Sequence, residues 1–168
     1  MKNRKIIITG PPGSGKSTII QALIKKEYTC FKEINPSNID NKKVRESKQL
    51  LSEFIFKKRL EDYHSAKNNL TFFDRSTIDV IAYLNYWKLN HPHEWIKIIK
   101  SQNYFINVFY APFWSEIYTT NNYRKENLEE AILIDKFLRN LFLKFNFNLI
   151  ELPKTNIENR IEFITNQI

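Results

Sequence analysis

Short apolar runs alternate with longer amphipathic stretches along the chain. The β-branched run Ile6-Ile7-Ile8-Thr9 ends at Gly10, which is typical of a buried central strand. Runs of this kind predict five strands, at residues 6–9, 28–33, 70–74, 104–110 and 148–152. Apolar positions at helical spacing predict helices at residues 17–26, 42–67, 76–90, 93–100, 126–145 and 157–168. Because strands alternate with helices, the pattern predicts an α/β fold with a mostly parallel sheet.

Two of the predicted helices carry specific expectations. The stretch at residues 42–67 is predicted as one long amphipathic helix. The helix at residues 126–145 is predicted to bury one side, formed by Leu128, Ala131, Ile132, Leu138, Phe142 and Phe145. Most of the aromatic residues, including the tryptophans at residues 87, 95 and 114, are predicted to lie in the core; the alternative for one of the rings is stacking on a base or nicotinamide.

Length and composition narrow the class of protein. The chain has 168 residues, and at roughly 100–200 residues per domain this predicts one domain, residues 1–168. The single cysteine, Cys30, excludes an intrachain disulfide and a multi-cysteine zinc site. No apolar run approaches the roughly 20 residues of a membrane span, and the first residues contain no signal-peptide core. We therefore expect a cytoplasmic protein without a membrane partner.

The formal net charge of +8 raises the question of a nucleic-acid partner. The lysines are spread along the chain, with pairs at residues 25–26, 42–43 and 57–58 but no block of five. Lysine, asparagine, isoleucine and phenylalanine are also residues of AT-rich codons, so genome composition alone can raise the lysine content. Dispersed charge of this kind favours a solvated surface over a nucleic-acid interface.

One segment decides the class of chemistry. The residues after the first strand read Gly10-Pro11-Pro12-Gly13-Ser14-Gly15-Lys16-Ser17-Thr18, which matches the P-loop pattern. The glycines let successive backbone N–H groups point into one hollow, at the positive end of the following helix. Lys16 can span the β- and γ-phosphates of a nucleotide, and the Ser17 hydroxyl can bind Mg²⁺. The segment therefore predicts ATP and Mg²⁺ as cofactors.

A P-loop needs an acid at the end of a neighbouring strand to hold the metal, usually through water. Asp74 ends the predicted strand at residues 70–74 and is the candidate. The alternative is a strand-end aspartate that caps the next helix, a role for which Ser76 and Thr77 are equal candidates. Arg75, beside it, is a candidate contact to phosphate or to a carboxylate; the alternative is a surface arginine.

Three further charged residues have open roles. Arg124 lies on a polar link before a long helix, where it would close over the γ-phosphate as an internal arginine finger; the alternative is a solvent-exposed helix start. Glu33, after the second predicted strand, is a candidate general base for a phosphoryl acceptor or a plain edge carboxylate. Asp79 either pairs with Arg75 or contacts substrate, or is an exposed helix acid.

Together these motifs resemble one family. The matching segments are GPPGSGKST at residues 10–18, Glu33, FFDRS at residues 72–76 with Asp79, APFW at residues 111–114, YRKE at residues 123–126, LEEA at residues 128–131, LIELP at residues 149–153 and IENR at residues 157–160. The chain resembles the small AAA-domain P-loop ATPases that are related to the nicotinamide riboside kinase domain and, more distantly, to deoxynucleoside and thymidylate kinases.

The resemblance implies a three-layer P-loop fold, with a five-stranded parallel sheet and helices on both faces. It implies ATP·Mg²⁺ binding and a lid at about residues 113–127 that contains Arg124. By similarity to deoxynucleoside kinases, Glu33 and Asp74-Arg75-Ser76 would flank the acceptor hydroxyl. The chain departs from the family where Ser76-Thr77-Ile78 replaces a frequent Gly-Pro after the Asp-Arg pair, and where the first arginine after Glu33 is Arg45.

These expectations favour an ATP- and Mg²⁺-dependent phosphotransferase acting on a small, hydroxyl-bearing, nucleoside-like metabolite. One alternative is a nucleotide-dependent switch or slow ATPase that acts through a protein partner. Another is a nucleic-acid-linked ATPase, suggested by the net charge. The expected catalytic residues are Lys16, Asp74, Arg75, Arg124 and Glu33. The expected oligomeric state is a monomer or a homodimer.

Overall fold

The computed structural model describes residues 4–67, 70–117 and 127–168. Five strands form one sheet: β1 (Lys5–Thr9), β2 (Thr29–Phe31), β3 (Thr71–Asp74), β4 (Asn107–Tyr110) and β5 (Asn148–Glu151). The helices are α1 (Lys16–Lys25), α2 (Lys42–Glu46), α3 (Lys48–Ser65), α4 (Thr77–Tyr86), α5 (His93–Ser101), α6 (Leu128–Lys144) and α7 (Ile157–Thr165). Short 3₁₀ helices lie at Pro36–Asn38 and Ser115–Ile117. No helix in these three ranges is long and apolar enough to cross a membrane.

The sheet is parallel throughout, with the strand order β2-β3-β1-β4-β5. Successive side chains of a strand point to opposite faces, so each central strand supplies two cores. On one face, Ile7, Phe73 and Val108 pack with residues of α3, α4, α5 and α6. On the other face, Ile6 and Phe72 pack with residues of α1 and α7. The predicted three-layer α/β fold is confirmed.

Two helix predictions need correction. The stretch at residues 42–67 is two helices, because Ser47 has extended backbone (φ −101°, ψ 116°) and its hydroxyl accepts a hydrogen bond from the Leu50 amide as the N-cap of α3. In α6, Ala131 is buried as predicted, whereas Ile132 is 41% exposed and Leu128 is 48% exposed. The buried arc of a surface helix is narrow, so these two apolar residues lie outside it.

The strand register places the ends of three strands together. Ile8 of β1 pairs with Asp74 of β3 and with Phe109 of β4. In a parallel sheet all carboxyl ends lie at one edge, which is the usual position of a ligand site in such folds. The loop after β1 therefore lies between the ends of its two neighbouring strands.

Candidate functional site

The loop between β1 and α1 adopts a conformation that its glycines permit. Gly10 has φ +148°, and a Cβ there would lie 2.0 Å from the Ala111 carbonyl oxygen. Gly15 has φ +84° and immediately precedes α1. Because α1 begins at Lys16, the unpaired N–H groups of its first turn and the positive end of its dipole face the loop. This arrangement suits an anion.

Lys16 lies within the loop rather than in solvent. Its side chain is 4% exposed, and its Nζ donates hydrogen bonds to the Pro11 carbonyl oxygen at 2.7 Å and to the Ser14 hydroxyl at 3.2 Å. Burial and the charge of Arg75 lower the pKa of Lys16 to about 8, against the opposing effect of the neighbouring carboxylates. The ammonium group is therefore held where a phosphate chain on the loop would meet it.

Asp74 ends β3 with an unsatisfied oxygen. The residue is 2% exposed, and its Oδ1 has no hydrogen-bond partner among the described residues. Burial and the charge of Glu33 raise the pKa of Asp74 to about 6, although Lys16 and Arg75 oppose the shift. A carboxylate with this pKa is ionised at neutral pH, and its free oxygen is a suitable ligand for a hydrated divalent cation.

Ser76, and not Asp74, is the N-cap of α4. The Ser76 hydroxyl accepts a hydrogen bond from the Ile78 amide, and the Asp79 carboxylate accepts one from the Ser76 amide at 2.7 Å. This capping box satisfies the first turn of α4. The Asp74 carboxylate is therefore not needed to cap α4.

Arg75 connects the acidic residues to the loop. Its Nε donates to Glu33 Oε1 at 2.6 Å, its Nη1 donates to the Gly10 carbonyl oxygen at 3.1 Å, and Nη1 lies 3.6 Å from Asp79 Oδ1. Arg75 has φ +71°, a conformation that costs free energy for a residue with a Cβ and is common at functional sites. Asp79 is buried and also accepts a hydrogen bond from Thr9, so the prediction of an exposed helix acid is wrong and the alternative pairing with Arg75 is correct.

Glu33 is ionised in this arrangement. Burial raises the pKa of Glu33, but the charges of Arg75 and Lys16 and the Arg75 hydrogen bond outweigh burial and lower this pKa to about 2. Four of the predicted residues, Lys16, Asp74, Arg75 and Glu33, are thus electrostatically coupled around the loop. Arg124 lies outside the described residues, as does most of the predicted lid at about residues 113–127.

Two buried arginines, Arg59 and Arg160, had no predicted role. Arg59 of α3 donates from Nη1 to the Asp74 carbonyl oxygen at 2.7 Å. Arg160 of α7 donates to the Ser14 carbonyl oxygen at 3.3 and 3.4 Å. Two features of the sequence point to them: arginine is scarce in a lysine-rich chain, and Arg160 ends the IENR segment at residues 157–160 that contributes to the family resemblance.

One cavity opens beside the loop, and another opens beside Glu33. The larger has a volume of about 570 Å³ and is lined by Gly13, Gly15, Thr18, Trp114, Ile117, Thr155, Asn156, Ile157 and Arg160. The smaller has a volume of about 280 Å³ and is lined by Glu33, Ile34, Asn35, Asn38, Ile39, Phe54 and Lys58. We refer to them as the loop cavity and the Glu33 cavity. No residue lines both, and the contacts of Arg75 with Glu33 and Gly10 connect the two regions.

Comparison with known proteins agrees with this fold. Residues 5–160 match the family model described as AAA domain. No curated protein matches the chain. The fold is similar to a deoxyadenosine kinase from M. mycoides with bound dATP (TM-score 0.72, 19% identity, 97% of this chain and 98% of that one). It is also similar to a thymidylate kinase from Ehrlichia chaffeensis (TM-score 0.68, 14% identity, 100% of both chains). A thymidylate kinase from Candida albicans is similar as well (TM-score 0.62, 17% identity, 99% of this chain and 91% of that one).

Proposed function

The chain belongs to the AAA domain family, in the class of P-loop kinases and ATPases, and from this premise we propose that it is an ATP- and Mg²⁺-dependent phosphotransferase. Its acceptor is a small, hydroxyl-bearing, nucleoside-like metabolite. The observation that carries the proposal is the pair of separate cavities, one beside the P-loop and one at Glu33, which Arg75 connects to the loop. A phosphotransferase needs a place for a donor and a place for an acceptor, whereas a hydrolase needs only the first.

The donor belongs on the P-loop side. The N–H groups at the start of α1 and the Lys16 ammonium would bind the phosphates, and the loop cavity would take the remainder of the nucleotide. The apolar and aromatic lining of that cavity, with Trp114, Ile117 and Ile157, suits the flat face of a base.

The residues present also fit a magnesium ion. Asp74 offers a buried carboxylate oxygen that has no partner within residues 4–67, 70–117 and 127–168, and Ser17 is exposed at the start of α1, so these two residues would hold it. When bound, the ion would neutralise charge on the transferring phosphoryl group. The chain's own contribution is the placement of Lys16 against the same phosphates.

The Glu33 cavity supports an uncharged acceptor rather than one that carries a phosphate. The guanidinium of Arg75 is already paired with Glu33 and Asp79, and the Lys58 ammonium, at the cavity wall, is paired with Glu61 at 2.8 Å. A phosphate in this cavity would meet the ionised Glu33 without a free cation from these residues. A nucleoside would place its base against Phe54 and Ile39.

Within this proposal Glu33 orients the acceptor hydroxyl. With a pKa of about 2, its carboxylate accepts a hydrogen bond well but takes a proton weakly. Phosphoryl transfer passes through a loose transition state, so positioning contributes more than early proton removal. Arg124 would supply further positive charge from the lid at about residues 113–127, and that role stays a prediction.

A coupled assay of ADP release tests the proposal. We expect deoxynucleosides and nucleosides to stimulate ADP release in the presence of Mg²⁺, and the corresponding nucleoside monophosphates to stimulate it less. The Lys16→Ala variant is the control for P-loop chemistry. ADP release that no acceptor stimulates would favour the slow ATPase or switch, and stimulation by DNA or RNA alone would favour the nucleic-acid-linked ATPase. The single domain of residues 1–168, the cytoplasmic location and the monomeric or homodimeric state stay predictions.

A further inference from the structure

We propose that Arg160 is a positioning residue for the donor nucleotide, acting through the Ser14 carbonyl of the P-loop. This inference rests on the proposed function, because it assumes that a phosphate chain binds the loop. Arg160 comes from α7, 146 residues after Ser14, and no predicted role included it.

The contact lies on the carbonyl side of the loop. When successive N–H groups of a P-loop point inward at an anion, their carbonyl groups face away from it. The Arg160 guanidinium donates to the Ser14 carbonyl oxygen from both Nη1 and Nη2, at 3.3 and 3.4 Å. Arg75 makes the equivalent contact with the Gly10 carbonyl oxygen at 3.1 Å. Two arginines from different elements therefore hold the loop at its start and at its middle.

The two arginines differ in how their charge is balanced. Arg75 is ion-paired with Glu33 and Asp79. No ion pair joins Arg160 to a carboxylate within residues 4–67, 70–117 and 127–168. Arg160 is only 4% exposed, and its Nε is buried without a hydrogen-bond partner in the same part of the chain. A buried cation with no counter-charge is unfavourable by itself and becomes favourable when an anion enters nearby.

The surroundings of Arg160 point to the donor as that anion. Its side chain lines the loop cavity together with Gly13, Gly15 and Thr18. It lies against Gly15 so closely that a Cβ on that glycine would be 2.8 Å from Nη1. The guanidinium also lies over the ring of Trp114, 5.8 Å from its centroid. The charge of Arg160 is thus fixed beside the phosphate-binding turn and is not mobile on the surface.

Binding of ATP and of inorganic tripolyphosphate to Arg160→Met tests the proposal, both measured by calorimetry with Mg²⁺. A positioning role through the loop predicts that both dissociation constants rise by a similar factor, about tenfold for the loss of a charged hydrogen-bonding group. Arg160→Lys, which keeps the charge, should recover part of the loss for both ligands. The matched control is Arg139→Met, a half-buried arginine of α6 that pairs with Asp135 and Glu151, and it should leave both constants unchanged.

Two results would overturn the inference. If Arg160→Met weakens ATP but not tripolyphosphate, the arginine contacts the base or sugar and does not act through the loop. If thermal unfolding shows a loss of stability while both dissociation constants stay unchanged, its role is only structural. Failure of the proposed function is distinguishable, because the unmodified protein would then show no acceptor-stimulated ADP release whatever the variant does.

Discussion

Asp74 combines two properties: a buried oxygen without a hydrogen-bond partner in the part of the chain that the structure describes, and a raised pKa. A raised pKa means that the folded protein binds the proton more tightly than the unfolded chain does. The contribution of Asp74 to the free energy of unfolding therefore decreases as the pH rises from about 4 to about 6. Above about pH 6 the folded protein contains the ionised carboxylate of Asp74, which burial disfavours.

We predict that Asp74→Asn stabilises the free protein while it removes Mg²⁺-dependent turnover. At about pH 8 the free energy of unfolding should exceed that of the unmodified protein by about 1–3 kcal/mol, and the difference should narrow as the pH falls toward 4. Urea titrations at several pH values measure it. Asp135→Asn is the control and should destabilise, because Asp135 accepts hydrogen bonds from Tyr110 and Arg139. Equal destabilisation by both variants at every pH would contradict the prediction.

A second prediction concerns Glu33. Glu33→Gln should lower acceptor-dependent kcat/KM by about 10–100-fold, since it removes the charged carboxylate that accepts a hydrogen bond from the acceptor hydroxyl. The dissociation constant of ATP should stay within about twofold, because Asp79 still pairs with Arg75. Steady-state kinetics and calorimetry separate the two effects. Glu53→Gln, at an exposed residue of α3 outside both cavities, is the control; a comparable loss of ATP affinity in Glu33→Gln would rule out an acceptor-specific role.

The sequence indicated several residues of the candidate site, but it did not indicate which residues they contact. Lys16 and Asp74 follow from the P-loop spacing and from the acid at the end of a strand. The pairing of Arg75 with Glu33 joins positions 42 residues apart, and no local pattern encodes it. Arg59 was missed for a similar reason, because a charged residue in a helix ordinarily indicates the solvent face.

The elements β1 and α1 and the P-loop between them form one closely packed unit. Gly10→Ala should lower the free energy of unfolding by about 2–4 kcal/mol, because its Cβ would collide with the Ala111 carbonyl and because φ is positive. Urea unfolding measures the loss. For comparison, Asn127→Ala removes the side-chain cap of α6 and should cost about 1 kcal/mol. If the glycine variant costs less than the cap variant, the loop has room to shift.

The bounds and the buried faces of the helices show what the spacing of apolar residues can and cannot predict. Helical spacing of apolar residues continues from residue 42 to residue 67, so it does not reveal the break at Ser47. That break depends on a hydroxyl that caps α3. Likewise Ile132 has the spacing of a buried residue in α6, but its exposure depends on which other elements α6 contacts. Contacts between elements depend on the topology of the fold, and the apolar pattern of a single helix does not encode that topology.

At the scale of the whole molecule, ligand binding should stabilise the fold. A non-hydrolysable ATP analogue with Mg²⁺, at about 100 times its dissociation constant, should raise the free energy of unfolding by about 2.7 kcal/mol. Lys16→Ala should abolish the increase, whereas Lys25→Ala, at the exposed end of the same helix, should keep it. Thermal unfolding by calorimetry measures both. An increase that survives in Lys16→Ala would show that the nucleotide binds away from the P-loop.

The overall architecture was the most predictable level. Alternation of strands and helices favours right-handed crossovers and a parallel sheet, and the P-loop motif fixes which strand is central. All five strands were predicted, although β4 begins at Asn107 rather than at residue 104. The two cavities were not predicted, because each is lined by residues from several parts of the chain.

The contact between Ser14 and Arg160 has a consequence for biosynthesis. It joins segments 146 residues apart, and contacts between segments so distant in the chain form late. A nascent chain that has already formed β1 and α1 still lacks the guanidinium that holds Ser14. Full affinity for ATP should therefore arise only once residue 160 has left the ribosome and α7 has packed, so that products truncated before residue 160 bind the nucleotide weakly.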